Sequence, residues 1–139
     1  MEITVSFPGN KKVAAHVGGL EILTDQPAEA GGDSAGPSPY LLFLSSLAAC
    51  AGYYALEFCR AREIDPGSLK ISLSYEWTPE MKSAGEKPAF VLRIDVPPDF
   101  DEKQIPALQR AVSACAVKKA IEAGPSFSVV VSRKAHSLK

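Results

Sequence analysis

The feature that most constrains this chain is an uncharged run of 17 residues, Tyr40 to Leu56. Its length sits at the lower edge of what crosses a bilayer. It contains Ser45, Ser46 and Gly52, has no basic flank before it, and runs directly into Glu57, Arg60, Arg62 and Glu63. A helix buried on most sides in a protein core fits these facts better than a membrane span. Ser38-Pro39 supplies the start: serine caps, and proline fits the first position, where no backbone donor is needed. Asp65-Pro66-Gly67 stops the helix after about Glu63. A chain of 139 residues must find apolar cover for such an element, which is one domain's worth of material, residues 1–139.

The segments before and after the helix read as that cover. Ile3, Val5 and Phe7 alternate with polar residues, and Pro8-Gly9-Asn10 makes a turn. Lys11 to Val17 is a second strand, Gly18-Gly19 a tight turn, and Leu20 to Thr24 a third strand. Residues 26–39 form a long irregular stretch rich in glycine and proline, of the kind that tends to be functional or mobile. Beyond the helix, Leu69, Ile71, Leu73, Tyr75 and Trp77 alternate cleanly. After a turn from Gly85 to Pro88, so do Phe90, Leu92, Ile94 and Val96. Asp101 to Gln104 has the spacing of a helix start, and Leu108, Ala111, Val112 and Cys115 recur at helical intervals. That helix continues, with or without a break, to Glu122, where Ala123-Gly124-Pro125 ends it. Phe127, Val129 and Val131 spell a last strand, and residues 133–139 a loose tail. The order is α+β with a mainly antiparallel sheet.

Composition narrows the function. Lys+Arg 15 against Asp+Glu 16 gives a net charge of −1, and no basic block appears. A nucleic-acid or anionic-membrane surface therefore has no electrostatic footprint. The start, Met-Glu-Ile-Thr-Val, lacks the basic residues and apolar run of a signal peptide. With three cysteines, too few for a disulfide scaffold, a cytoplasmic, reducing setting is expected. His16 and His136 have no ligand spacing and read as surface residues, so no metal is expected. No nucleotide-binding glycine motif or nucleophile elbow occurs, and no cofactor is implied.

The cysteines remain as the candidate chemistry. Cys50 and Cys59 share the apolar helix, nine residues apart, half a turn out of alignment and about 13 Å along the axis. They cannot bridge while the helix is intact, and Cys59 reads as a small buried hydrophobe. Cys115 belongs to another element that the fold can bring to Cys50. A helix break at Ser113 would place it in a new first turn, where exposed amides favour a thiolate and Lys118 and Lys119 add positive charge. Spacing alone leaves two readings open: a Cys50–Cys115 redox pair, or three ordinary buried thiols.

The run from Gly36-Pro37-Ser38-Pro39 through Leu47-Ala48-Ala49-Cys50 resembles the signature of the OsmC/Ohr family, the osmotically inducible and organic-hydroperoxide-resistance proteins. Ala114-Cys115-Ala116-Val117 resembles the family's second cysteine motif, and the element order matches along nearly the whole chain. The resemblance implies an intertwined homodimer, with mainly antiparallel sheets wrapped around long central helices and active sites at the interface. It also implies thiol peroxidase chemistry, with Cys50 peroxidatic and Cys115 resolving, an organic hydroperoxide as substrate, and a small-molecule or protein dithiol as reductant. The sequence departs from the pattern in three places. The family's carboxylate nine or ten residues before the first cysteine is Leu41 or Tyr40 here. No arginine precedes Arg60, leaving Lys11 or Lys12 as substitutes without the planar fork. The proline after the second cysteine is Ala116. These departures keep two alternatives in view: a binding protein for a small apolar ligand, and a thiol redox sensor or sulfur-transfer protein. Tyr40 reads as a core or interface aromatic rather than a hydrogen-bond donor to Cys50.

Overall fold

The structure is a computed structural model that describes residues 1–133; His136 and most of the tail expected to be loose lie outside the described residues. The order is β1 (Thr4–Gly9), β2 (Lys12–Val17), β3 (Leu20–Thr24), α1 (Pro39–Arg60), β4 (Lys70–Glu76), α2 (Pro79–Ser83), β5 (Ala89–Asp95), α3 (Ile105–Ser113) and α4 (Ala116–Ala123). This is the expected α+β arrangement, with every strand pair antiparallel.

Two separate sheets form. The first is the meander β1-β2-β3, in which Ala14 of β2 faces Ser6 on one side and Leu23 on the other. Its tight turn has Gly18 and Gly19 at φ 55° and 80°, the left-handed backbone that a two-residue hairpin turn needs. The second is the hairpin β4-β5, where Ile71 pairs with Ile94, Leu73 with Leu92 and Tyr75 with Phe90. The period of two puts all six on one face, turned toward α1 and α3. The core gathers there: Ala51, Ala55, Phe58 and Cys59 of α1 meet Leu108 and Val112 of α3, with Ile71, Leu92 and Ile94 packed against them. Burying Phe58, Leu108 and Val112 contributes roughly 1.5–3 kcal/mol each.

α1 begins as its sequence dictates. Ser38 is the N-cap, its hydroxyl accepting from the Leu41 amide at 3.2 Å, and Pro39 opens the first turn. Its end falls at Arg60 rather than Glu63, which takes a left-handed φ of 56°. The expectation of burial on most sides does not hold for one chain. Only 22% of the most apolar window of α1 is buried, and Tyr40, Leu41, Phe43 and Tyr53 remain exposed. By length and hydropathy alone α1 would cross a bilayer.

Two further elements differ from the sequence reading. Between β4 and β5, a short helix α2 stands ahead of the turn, capped by the Thr78 hydroxyl, which accepts from the Met81 amide. Phe127 to Val131 forms no strand. The side chains of Phe127, Val129, Val130 and Val131 are almost wholly exposed, because no neighbouring strand satisfies their backbone.

The irregular stretch after β3 is ordered by one carboxylate. Asp25 is buried and accepts from the amides of Gln26 at 2.8 Å, Asp33 at 2.9 Å and Ala35 at 3.1 Å. These bonds hold its carboxyl below the usual carboxylate range, that from Ala35 contributing most. Gly32 and Gly36 are required by close approach. A Cβ at Gly32 would lie 1.9 Å from the Gln26 carbonyl oxygen, and one at Gly36 would lie 2.7 Å from that of Leu23.

Candidate functional site

Cys50 lies at the middle of α1, partly exposed, and Cys115 lies at the start of α4, fully buried. The break in the last helical segment makes this possible. α3 ends at Ser113, and Cys115 leaves helical geometry at φ −45° and ψ 120° to become the N-cap of α4. Its sulfur accepts from the Lys118 amide at 3.5 Å. α1 packs against both α3 and α4, so the N-terminus of α4 abuts the Cys50 turn.

The two thiols meet there. The backbone amides of Val117 and Ala116 and the Cys115 thiol are the neighbours that act on the Cys50 thiol. The Val117 amide is the largest influence, and together these donors hold the Cys50 thiol below its ordinary value despite partial burial. Burial pushes the Cys115 thiol up, and the neighbouring Cys50 pushes it further. The sequence reading assigned the helix-start amides to Cys115. The structure shares them between the two sulfurs: the Lys118 and Val117 amides also lower Cys115, where burial outweighs them, while those of Val117 and Ala116 lower Cys50. The result is an asymmetric pair: one accessible sulfur that favours the thiolate, and one buried sulfur that favours the protonated thiol.

Other candidates take different places. Cys59 is fully buried in the core and its thiol is pushed up by burial, as befits a small hydrophobe. Tyr40 joins an aromatic group, 5.7 Å edge-on from Tyr75 and 5.8 Å from Phe43, with Tyr75 stacked on Phe90 at 5.5 Å. A hydrogen bond with Tyr75, aided by burial, pushes the Tyr40 hydroxyl up to about 12, so it is spent on Tyr75 and not on Cys50. Lys11 donates to the Ala30 carbonyl and Lys12 pairs with Asp33. Both lysines pin the loop after β3, and neither stands in for the family's arginine. Lys118 pairs with Glu122 at 2.7 Å. His16 lies on the meander between Ser6, at 2.8 Å, and Glu21, at 3.7 Å.

Sequence reasoning missed Asp25 and the aromatic group. The only sign of the first was an acid at a strand end before a glycine-rich loop. Nothing in linear spacing brings Tyr40 to Tyr75.

The family model of OsmC-like proteins matches residues 31–130, a span that contains both cysteines of the pair. The chain belongs to the OsmC-like family. None of the curated proteins matches this OsmC-like chain. Solved structures with the same fold include an OsmC-like protein from Mycoplasma pneumoniae, 19% identical over 88% of this chain and 87% of that one, with a TM-score of 0.67. The organic hydroperoxide resistance protein OhrB of Bacillus subtilis is 23% identical over 89% of this chain and 93% of its own, with a TM-score of 0.56. An organic hydroperoxide resistance protein from Elizabethkingia anophelis is 19% identical over 89% and 90%, with a TM-score of 0.59. At these identities the likeness is one of fold.

Proposed function

We propose that this OsmC-like protein is a thiol-dependent reductase of organic hydroperoxides, with Cys50 as the peroxidatic and Cys115 as the resolving cysteine. The observation that carries the reading is the contact between an accessible sulfur with a lowered pKa and a buried sulfur with a raised one. The Cys50 thiolate attacks the terminal oxygen of the hydroperoxide. The O–O bond breaks, the alkoxide leaves as the alcohol after taking a proton, and Cys50 becomes a sulfenic acid. The Cys115 sulfur then attacks that of Cys50, water leaves, and a disulfide forms. An external dithiol returns two electrons and restores both thiols. The backbone amides of Ala116 and Val117 take over the thiolate stabilisation that an arginine supplies elsewhere in the family. Names of relatives as organic hydroperoxide resistance proteins agree with this reading.

The working unit we propose is a homodimer in the cytoplasm, with α1 internal to it rather than in a membrane. Ile3, Val5 and Phe7 along β1, the open face of α1, and the segment from Phe127 to Val131 are apolar and uncovered in one chain. Uncovered apolar side chains of this kind mark surfaces that take a partner.

The test is consumption of cumene hydroperoxide in the presence of dithiothreitol. Wild-type protein should consume it catalytically and the Cys50→Ser variant should not. Equal consumption by the two would sink the assignment.

A further inference from the structure

A cavity of about 440 Å³ opens between β5, α3 and α4, within the range of pockets that hold small organic ligands. Neither cysteine of the pair lines it. Its inner wall is Leu47 of α1 with Phe90, Leu92 and Ile94 of β5, and Ile121 of α4 closes one side. This much of the wall is apolar. The remaining lining includes Gln109 and Ser113 of α3 and the ion pair Lys118–Glu122 of α4. The cavity thus offers a hydrocarbon body at one side and a charged, hydrogen-bonding end at the other.

The charged end of the lining is one cation and one anion, Lys118 and Glu122, paired with each other. The Lys118 side chain is 36% exposed and that of Glu122 is 59% exposed, so the lysine is the more enclosed of the two. Their pair is a surface i,i+4 bridge, of a class that contributes little to stability. A ligand anion can therefore displace Glu122 into water at small cost and keep Lys118 as its own partner. Lys118 also stands in the first turn of α4, where the helix dipole favours negative charge. A cationic ligand would have to displace the more enclosed lysine to reach Glu122.

We propose that this pocket binds a small amphipathic monocarboxylate, its chain against Leu47, Phe90, Leu92 and Ile94 and its carboxylate on Lys118. The site needs neither thiol, so it is independent of the catalytic reading above.

The experiment is calorimetric titration of the reduced full-length protein with sodium octanoate, octylamine and octan-1-ol. Octanoate should bind most tightly, and equally to wild type and to Cys50→Ser. Lys118→Gln should weaken octanoate by about tenfold, which is 1.4 kcal/mol, and leave octanol unchanged. Ile121→Trp, which fills the pocket from its rim, should abolish binding of both. Circular dichroism that matches wild type shows that each variant is folded. Failure of octanoate to bind, equal binding of octylamine, or indifference to Lys118→Gln would overturn the proposal. Octanoate binding in a protein that leaves hydroperoxide untouched would overturn the catalytic reading alone.

Discussion

The backbone amide of Val117, at the start of α4, is the foremost influence that lowers the Cys50 thiol at the centre of α1. The two residues lie 67 positions apart in the chain, and their meeting sets the acidity of the only partly exposed thiol among the three cysteines. Cys50 should accordingly alkylate with a midpoint below that of an unperturbed cysteine. A Val117→Pro substitution removes that donor at a helix position where proline is tolerated. It should move the midpoint upward and slow iodoacetamide at pH 7 by about fivefold, the equivalent of losing roughly 1 kcal/mol of hydrogen bonding to the thiolate. An unchanged profile would detach the amide from the chemistry.

The lowered Cys50 pKa also carries a stability consequence. A group that is more acidic in the folded state stabilises it fully above the unfolded pKa, and this contribution is lost as pH falls through the folded value. Wild type should therefore gain stability over Cys50→Ser as pH rises through that interval. Urea midpoints at stepped pH values would measure it, and parallel curves for the two proteins would contradict it.

Resolution depends on Cys115. Stoichiometric hydroperoxide should give a Cys50–Cys115 disulfide in wild type, visible by peptide mass mapping under non-reducing conditions. In Cys115→Ser, one equivalent should leave Cys50 as the sulfenic acid, and further equivalents should carry it to sulfinic and sulfonic acid, each step consuming one hydroperoxide and adding one oxygen. Cys59 should stay reduced in both, because the core closes over it.

The carboxylate-centred loop is testable through its glycines and its acid. Gly32→Ala places a methyl against the Gln26 carbonyl and should destabilise by about 1–3 kcal/mol, read from the urea midpoint. Asp25 has a folded pKa below its unfolded value, so its contribution is present above roughly pH 4 and fades as pH falls through the folded value. Asp25→Asn should lower stability at neutral pH and flatten the acid limb of the stability curve. A limb as steep as in wild type would assign acid sensitivity to other carboxylates.

Self-association follows from the uncovered faces. Analytical ultracentrifugation at micromolar concentration should give the mass of a dimer, and the double variant Val5→Lys, Phe7→Lys should shift it toward the monomer. Monomeric wild type would refute the assembly.

Much of the fold was legible because local rules were obeyed. Ser38-Pro39 fixed the start of α1, and the alternation of Ile71, Leu73 and Tyr75 fixed the inner face of β4. A break at Ser113 is one of two readings the sequence leaves open, and the structure takes it. The misses came where meaning is tertiary. Phe127 to Val131 has strand chemistry, but a strand exists only with a neighbour. Thr78-Pro79-Glu80 carries a helix start that the sequence reading leaves unassigned between the strand ending at Trp77 and the turn at Gly85. How the two cysteines share the α4 amides depends on the docking angle of two helices, and residue spacing does not encode it. The candidate pair itself was readable, since each cysteine sat in a recognisable motif, but its polarity was not.

The crowding of Gly32 and Gly36 against carbonyl oxygens has a practical outcome for anyone redesigning this scaffold. Those two positions are spacers that let the polypeptide fold back on the end of β3, so grafted sequences must carry glycine there. The neighbouring Glu29 faces water, so a change of its side chain is tolerated, while the backbone around it is held by the Lys11 bond to the Ala30 carbonyl and the Ala28 bond to Ser34.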